Sequence, residues 1–148
     1  MRVALDTNVL VYALGVNDEG RRTRAEALIA ALPQADVILP AQVLGELFRV
    51  LTGKARWAAA RARLAVQKYQ DAYAVHPTTE PTLTAALDLA VDHRLSIWDA
   101  VIFNAAAEAG CRLLLSEDLG EGFTWRGVTV ANPFAAEPHP LLRAFDQQ

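Results

Sequence analysis

The stretch that decides the fold covers residues 1–15, which read MRVALDTNVLVYALG. Its apolar residues 3–5 predict a short buried strand, and the apolar run that continues through Tyr12 predicts a helix ending near Gly15. Asp6 lies at the junction and is the only charged residue between Val3 and Asn17. The stretch therefore predicts a strand followed directly by a helix, with a single carboxylate between them.

Outward from this stretch, the chain alternates between strand and helix patterns. Further strands are predicted at residues 37–39, 74–75, 112–115 and 128–130. Helices are predicted at residues 21–32, from Pro40 to near Gly53, over the basic alanine-rich stretch that follows, around residues 83–91, and from Ser96 to Gly110. In two of these helices the apolar side chains expected to face the core are Val43, Leu44, Leu47, Phe48 and Leu51, and then Leu83, Ala86, Leu87, Ala90 and Val91. The alternation predicts an α/β fold with a mainly parallel sheet flanked by helices.

Length and composition are those of one soluble domain. With 148 residues and 53% hydrophobic content, the chain can bury a substantial core, and we expect the tail at residues 134–148 to pack loosely or to be mobile. Cys111 is the only cysteine, so we expect no intrachain disulfide, an inert core thiol and a reducing compartment. No apolar run approaches the roughly 18 residues of a membrane span, and Asp6 comes too early for a secretion signal. These features predict a cytoplasmic protein.

The charges are unevenly distributed although the net charge is only −3. Between Glu46 and Asp71 there is no other acid, whereas six cations occur there: Arg49, Lys54, Arg56, Arg61, Arg63 and Lys68. Such a stretch is either a solvated helical face or a surface that contacts phosphates. Trp57 and Tyr69 lie within it, and we expect them to belong to the core rather than to stack on bases.

Three carboxylates stand alone in segments that are otherwise apolar. Asp6 is one, Glu46 is the only charged residue in 37–48, and Asp99 is the only one in 95–107. Burying an unpaired carboxylate costs several kcal/mol, so such groups usually have a partner, a hydrogen-bonding role or a bound metal. Structural roles are also open: Asp6 could cap a helix, Asp99 could form a capping box with Ser96, and Glu46 could point out from a helix edge.

The predicted fold brings these acids to one edge of the sheet. Asp6 ends the first strand, Asp118 follows another in a turn-like segment, Asp99 begins a helix that leads back to a strand, and Glu46 lies about two turns into its helix. In open parallel sheets ligands bind at the carboxyl ends of the strands. Like carboxylates about 4 Å apart repel by roughly 4 kcal/mol, and a divalent cation removes that penalty.

The ligand chemistry of such a cluster favours a hard cation. Its donors are oxygens only, which select Mg²⁺ or Mn²⁺ over zinc, and the three histidines, His76, His93 and His139, lack metal-ligand spacing. A site of this kind suits phosphodiester hydrolysis, because the ion neutralises the phosphate and lowers the pKa of water. The chain contains no glycine-rich phosphate loop, so nucleoside triphosphate chemistry is not expected.

The ordered set of these residues resembles the PIN-domain ribonucleases. The matching segments are Asp6-Thr7-Asn8 after a strand, Glu46 in an early helix, Asp99-Ala100 in an alanine-rich helix, and Ser116-Glu117-Asp118-Leu119 after a strand. The closing segment, residues 128–134 with the sequence VTVANPF, is similar to the end of the bacterial VapC toxins of that family. The resemblance spans nearly the whole chain.

The resemblance implies a three-layer α/β/α PIN fold and a Mg²⁺-dependent endoribonuclease that is the toxin of a type II toxin–antitoxin pair. The acidic quartet that it implies consists of Asp6, Glu46, Asp99 and Asp118. Asp6 and Asp99 would be the principal metal ligands, with Glu46 and Asp118 completing the site or positioning water, and Mn²⁺ could replace Mg²⁺. Because Glu117 precedes Asp118, either could face the metal, and Asp118 is favoured.

The resemblance also implies supporting residues and partners. Asn8 and Ser116 match polar positions that help to hold the site together. The implied partners are an RNA substrate, a second copy of the chain in a homodimer, and a VapB-like antitoxin whose C-terminal segment occupies the groove beside the acids.

Three other functions remain open at this stage. The first is a PIN-like nuclease for RNA processing or for DNA, outside any toxin system. The second is a non-catalytic module that keeps the fold and binds a partner. The third is a phosphohydrolase of the HAD type, although Asn8 stands where that family has its second aspartate.

Overall fold

The computed structural model describes residues 1–146, and its core is a six-stranded sheet. The strands are β1 (Arg2–Leu5), β2 (Val37–Pro40), β3 (Ala74–His76), β4 (Cys111–Leu115), β5 (Thr124–Trp125) and β6 (Val128–Ala131). The helices are α1 (Thr7–Ala13), α2 (Glu19–Ala31), α3 (Ala41–Thr52), α4 (Ala59–Ala72), α5 (Glu80–His93), α6 (Ile97–Glu108) and α7 (Pro140–Asp146). A single 3-10 turn, Gln34–Asp36, precedes β2.

The sheet has the strand order β3-β2-β1-β4-β6-β5. All neighbouring strands are parallel except β5, which pairs antiparallel with β6. Every residue of β2 is buried, and so is every residue of β4 except Arg112, because helices cover both faces of the sheet. The predicted α/β/α architecture with a mainly parallel sheet is therefore confirmed.

The central strands bring the ends of β1 and β4 side by side. Leu5 pairs with Leu115 at the last position of each strand, and the backbone N–H of Asp6 donates a 2.9 Å hydrogen bond to the carbonyl of Leu115. Parallel strands end at the same edge, so the residues that follow β1 and β4 are neighbours in space. This pairing creates the carboxyl edge on which the candidate site is built.

Some side chains predicted to face the core are exposed instead. Phe48 on α3 and a row on α5, Leu83, Leu87 and Val91, lie at the surface, with Val91 79% exposed. On α5 the buried side chains are Thr82, Ala86 and Leu89; of the predicted stripe, Ala86 is buried and Ala90 packs partly buried against the core. An apolar stripe predicts that a helix has a preferred face, but the neighbouring elements decide which face is covered.

The segments after β4 include two elements that the sequence did not predict, strand β5 and helix α7. The two-residue strand β5 is joined to β6 by a turn in which both Arg126 and Gly127 have positive φ. In the tail, α7 buries Leu142 and Phe145, and Arg24 of α2 contacts Asp146 at 3.3 Å. Cys111 is buried, and burial raises the pKa of its thiol to about 11, as expected of an inert core cysteine.

Across residues 1–146, no helix is both long and apolar enough to span a bilayer.

Candidate active site

Asp6 is the buried centre of the candidate site, and its position follows from the strand pairing. It is 5% exposed and caps the N-terminus of α1, accepting a 2.7 Å hydrogen bond from the backbone N–H of Thr7. Its second oxygen, Oδ2, accepts a 2.7 Å hydrogen bond from the hydroxyl of Ser116, the first residue after β4. The capping role foreseen from the sequence is real, but it uses only one of the two carboxylate oxygens.

The surroundings of Asp6 disfavour its charged form. Burial raises the pKa of Asp6 from 3.8 to about 6, and the negative charges of Asp99 and Glu46 act in the same direction. The hydrogen bonds from Ser116 and Thr7 lower the pKa and so limit the rise. Carboxylates with pKa values raised in this way are common at functional sites, so the environment of Asp6 makes it a candidate site residue.

Glu46 approaches Asp6 through a shared neighbour. Its Oε2 accepts a 2.8 Å hydrogen bond from the hydroxyl of Thr7, and its Oε1 accepts a 3.3 Å bond from Gln42 one turn earlier in α3. Glu46 is half-buried and therefore does not simply point into solvent from the helix edge. The Thr7 hydroxyl thus joins the end of β1 to α3.

Asp99 lies in the first turn of α6. Its backbone N–H donates a 3.1 Å hydrogen bond to the hydroxyl of Ser96, the N-cap residue, so the predicted capping contact is present. Burial raises the pKa of Asp99, and the like charges of Glu46 and Asp118 add to the effect, while its hydrogen bond with Ser96 opposes it. The charges of the other acids therefore act on the carboxylate of Asp99, while the backbone N–H of the same residue takes part in the helix cap.

Asp118 and Glu117 have different environments. Oδ2 of Asp118 accepts a 3.1 Å hydrogen bond from the amide of Asn8, which also lies 3.4 Å from Oδ2 of Asp6. The carboxylate of Glu117 turns away and forms an ion pair with Arg21 at 2.9 Å. The Asn8 amide thus stands between the two aspartates, and Glu117 is held by α2.

The four acids predicted from the sequence therefore meet at one edge, where they influence one another electrostatically. Within residues 1–146, no group of three or more acidic, histidine or cysteine side chains is arranged so that it could hold a metal ion. The donor chemistry nevertheless fits a hard divalent ion, because the carboxylates are oxygen donors and two of them have raised pKa values. If the carboxylates of Asp6, Glu46, Asp99 and Asp118 moved closer together, a divalent ion between them would offset their mutual repulsion.

A cleft of about 260 Å³ opens beside these acids. Glu46 and Asp118 line it together with Asn8, and two cations of the basic stretch, Arg49 and Lys54, also lie on its wall. The cleft therefore combines acids that could hold a cation with cations that could hold a phosphate.

Two other cations of the basic stretch line a separate and larger groove of about 530 Å³. There the guanidinium of Arg61 lies 3.7 Å from the ring centre of Trp57, and Lys68 lies near Tyr69. Both aromatic residues are partly buried against the core, as predicted. The role of the whole basic stretch in holding RNA stays a prediction.

Three polar or aromatic residues at this edge were not singled out as site residues from the sequence. Thr7 and Gln42 hold Glu46, and Trp98 shares a second cleft with Glu46. In the sequence, Trp98 directly precedes Asp99 in an apolar segment. A tryptophan at such a position can equally be a buried core residue, so the sequence did not identify it as a site residue. Only the packing shows that its side chain is exposed.

Comparison with known proteins agrees with this architecture. The sequence profile of the family described as PIN domain matches residues 3–120. No curated protein matches the sequence.

Several solved structures share the fold. Mycobacterium tuberculosis VapC20, described as a sarcin-ricin loop cleaving toxin, is 23% identical with a TM-score of 0.64, covering 76% of this chain and 86% of that one. A toxin–antitoxin complex from Klebsiella pneumoniae is 17% identical with a TM-score of 0.65, covering 89% and 98%. FitAcB from Neisseria gonorrhoeae is 23% identical with a TM-score of 0.64, also covering 89% and 98%. At these identities the likeness concerns the fold.

Proposed function

The chain belongs to the PIN-domain family, and from that premise we propose that it is a Mg²⁺-dependent endoribonuclease and the toxin of a type II toxin–antitoxin pair. The observation that carries the proposal is the buried carboxylate of Asp6, whose pKa is raised to about 6 at the same edge as three further acids. A protein that needed Asp6 only as a helix cap would gain nothing from burying it beside Glu46 and Asp99.

We assign the ion to the acidic quartet. Asp6 and Asp99 are the principal ligands, Glu46 and Asp118 complete the site or position water, and Mn²⁺ can replace Mg²⁺. When bound, the ion supplies charge neutralisation at the scissile phosphate and a lowered pKa for the attacking water.

The protein's own residues prepare this site in three ways. Ser116 and Thr7 donate hydrogen bonds that hold the Asp6 carboxylate in place and favour its ionised form. Thr7 also orients Glu46, which leaves Oε1 of that side chain to Gln42 or to a water. Asn8 separates Asp6 from Asp118, so that the two carboxylates approach without direct repulsion.

We also propose an antitoxin protein as partner. The solved neighbours from Klebsiella pneumoniae and Neisseria gonorrhoeae include a toxin–antitoxin complex and FitAcB, which supports a similar assembly here. The cleft beside the acids, lined by Asn8, Arg49 and Lys54, is where a segment of the antitoxin would block RNA. We expect co-expression of a cognate antitoxin to abolish cleavage in proportion to complex formation.

A homodimer in the cytoplasm completes the proposal. Its support is the apolar row Leu83, Leu87 and Val91 on α5, which is exposed in the single chain. Burying such a row against a second copy would remove apolar surface from water.

The main alternative is a PIN-like nuclease that processes RNA outside a toxin system. The two differ in biology rather than in chemistry: expression of a toxin arrests growth, and a coexpressed antitoxin restores it. A non-catalytic binding module is the second alternative. It would show no rise in melting temperature with Mg²⁺ or Mn²⁺.

The decisive test compares the wild type with Asp6→Asn and Asp99→Asn on total RNA and on tRNA, each with Mg²⁺, Mn²⁺ or EDTA. We expect metal-dependent cleavage by the wild type and none by either variant. Both substitutions keep the side-chain volume, so we expect both variants to fold. Circular dichroism checks that they do. Cleavage that survives Asp99→Asn would refute the assignment of the site, and wild-type protein that neither cuts RNA nor binds metal would refute the function.

A further inference from the structure

Glu46 stands on a ridge between two open clefts. One is the cleft shared with Asn8 and Asp118, and the other, about 230 Å³ in volume, is lined by Gln42, Gly45, Glu46, Arg49 and Trp98. Glu46 and Arg49 belong to both clefts because they are adjacent on one face of α3. The two clefts thus meet at Glu46 and Arg49, and together they form a path that runs past the carboxylates of Glu46 and Asp118.

The cations on this path are not engaged by the protein. Within residues 1–146, Arg49 and Lys54 form no salt bridge, whereas Arg21, Arg22 and Arg24 all do. Both side chains are exposed and lie on the wall of the cleft that holds Asp118. Unpaired cations beside an acidic centre would hold phosphates next to the one that is cut.

Trp98 provides a free aromatic surface at the other end of the path. It is 53% exposed and directly precedes Asp99 in the first turn of α6. In the described part of the chain no aromatic ring or cation stacks on Trp98. By contrast, the guanidinium of Arg61 lies over the ring of Trp57, and Trp125 contacts both Phe103 and Arg126. An exposed indole beside a phosphate path is suited to stacking on an unpaired base.

Gly45 keeps the second cleft open. It lies in the interior of α3, where glycine weakens a helix, and an added Cβ would meet nothing within 4 Å. Packing therefore does not explain why this position has no side chain. A side chain there would instead fill the space between Glu46 and Trp98.

We propose that a single-stranded RNA segment follows this path, with one base stacked on Trp98, its phosphates held by Arg49 and Lys54, and its backbone passing over Gly45. The stacked base sets the register of the strand and hence the bond that is presented to the acids. Single-stranded RNA is the class that fits, because a base can stack on a side chain only after it leaves its own helix. The inference rests on the proposed ribonuclease function and deepens it.

The test measures binding of a fluorescently labelled single-stranded RNA in Mg²⁺ by anisotropy, using Asp6→Asn as the parent so that the RNA stays intact. We expect Trp98→Ala to weaken binding about tenfold and Trp98→Phe to remain within about threefold of the parent. We expect Arg49→Ala to weaken binding and to reduce the slope of log Kd against log salt by about one. The matched control is Arg112→Ala, an exposed arginine in β4, which should change neither quantity.

Gly45→Gln separates a binding role from a structural one. Because glutamine favours helix, we expect the melting temperature to rise by roughly 3 °C while RNA binding weakens. A purely structural glycine would give no loss of binding. Quenching of tryptophan fluorescence by RNA should in addition be smaller in Trp98→Phe than in the parent.

The outcomes distinguish this inference from the function on which it rests. If Trp98→Ala and Gly45→Gln bind RNA as the Asp6→Asn parent does, and cut RNA as the wild type does when introduced into the wild-type protein, the path is wrong and the ribonuclease stands. If Trp98→Ala changes the oligomeric state of the protein in solution and leaves RNA binding intact, Trp98 contacts another protein chain and the inference is overturned. If the wild type neither binds nor cuts RNA, both fail together.

Discussion

The hydroxyl of Ser116 donates a 2.7 Å hydrogen bond to Oδ2 of Asp6, although 110 positions separate the two residues in the chain. The bond exists because β1 and β4 pair in parallel and end together at Leu5 and Leu115. Ser116 is fully buried, and its oxygen also accepts from the backbone N–H groups of Asp118 and Leu119. One hydroxyl therefore orients the central carboxylate and shapes the turn that carries Asp118.

Ser116→Ala should weaken metal binding. Loss of a hydrogen bond that favours the ionised form raises the pKa of Asp6 further, and the carboxylate is no longer oriented. We expect Mg²⁺ affinity near neutral pH to fall by about 10- to 100-fold, as for other residues that orient metal ligands. Calorimetric titration with Mg²⁺ measures this, and an unchanged affinity in a folded variant would show that Ser116 serves only the turn.

Asp6→Asn should stabilise the protein when no metal is present. Burial raises the pKa of Asp6 from 3.8 to about 6, so the folded state binds more protons than the unfolded chain between these values. The free energy of unfolding therefore falls as the pH rises through this window, and above it the full penalty, on the order of 3 kcal/mol, is present.

Asparagine removes that penalty but hydrogen-bonds less well to Ser116 and Thr7. We expect a net gain of about 1–2 kcal/mol near pH 7 and little change near pH 4, measured by urea unfolding in EDTA. Added Mg²⁺ should stabilise only the wild type and so reduce or reverse the difference. A variant that is less stable than the wild type at pH 7 without metal would contradict the raised pKa.

Glu117 and Asp118 offer a matched pair of substitutions. Glu117 is paired with Arg21, whereas Asp118 contacts Asn8 and raises the pKa of Asp99. We expect Asp118→Asn to reduce Mg²⁺ affinity by about tenfold or more and Glu117→Gln to change it by less than about twofold. The reverse order of effects, measured in the same titration, would assign Glu117 to the metal instead.

The exposed row on α5 predicts the oligomeric state. If a second copy covers Leu83, Leu87 and Val91, then Leu87→Glu with Val91→Glu places charges in that interface and should convert a dimer to a monomer. Leu64→Glu on α4 is the control, since Leu64 is similarly exposed on another helix. Light scattering gives the molar mass of each protein; a monomeric wild type would refute the homodimer.

Much of the fold followed from periodicity and from the position of a few residues. The apolar run 3–5 and the pattern through Tyr12 predicted β1 and α1 to within two residues, and Gly53 and Gly110 marked the ends of two helices. Asp6, Glu46 and Asp99 were recognisable because each stood alone in an apolar segment, and the parallel sheet then required their segments and that of Asp118 to reach one edge. Such signals are local and can be read in order along the chain.

Other features depended on neighbours that are distant in sequence. On α5, which packs against α6, Ala86 is buried as predicted, but Leu89 is buried while Leu83, Leu87 and Val91 are exposed. Strand β5 was too short to show a period, and it forms because β6 offers it an edge. Likewise, α7 follows a segment that contains prolines, and the sequence alone did not show which element its apolar residues would pack against. In the structure α7 lies beside α2.

By itself, the sequence determined most of the segments that form strands and helices, which acids are solitary, and that these acids share an edge. Only the tertiary structure decided that Asp118 rather than Glu117 faces Asn8, that Thr7 holds Glu46, and that the indole of Trp98 stays in solvent. The physical reason is one of range. Backbone preference and apolar period act over a few residues, whereas hydrogen bonds, charge repulsion and burial depend on distances that exist only after the strands have paired.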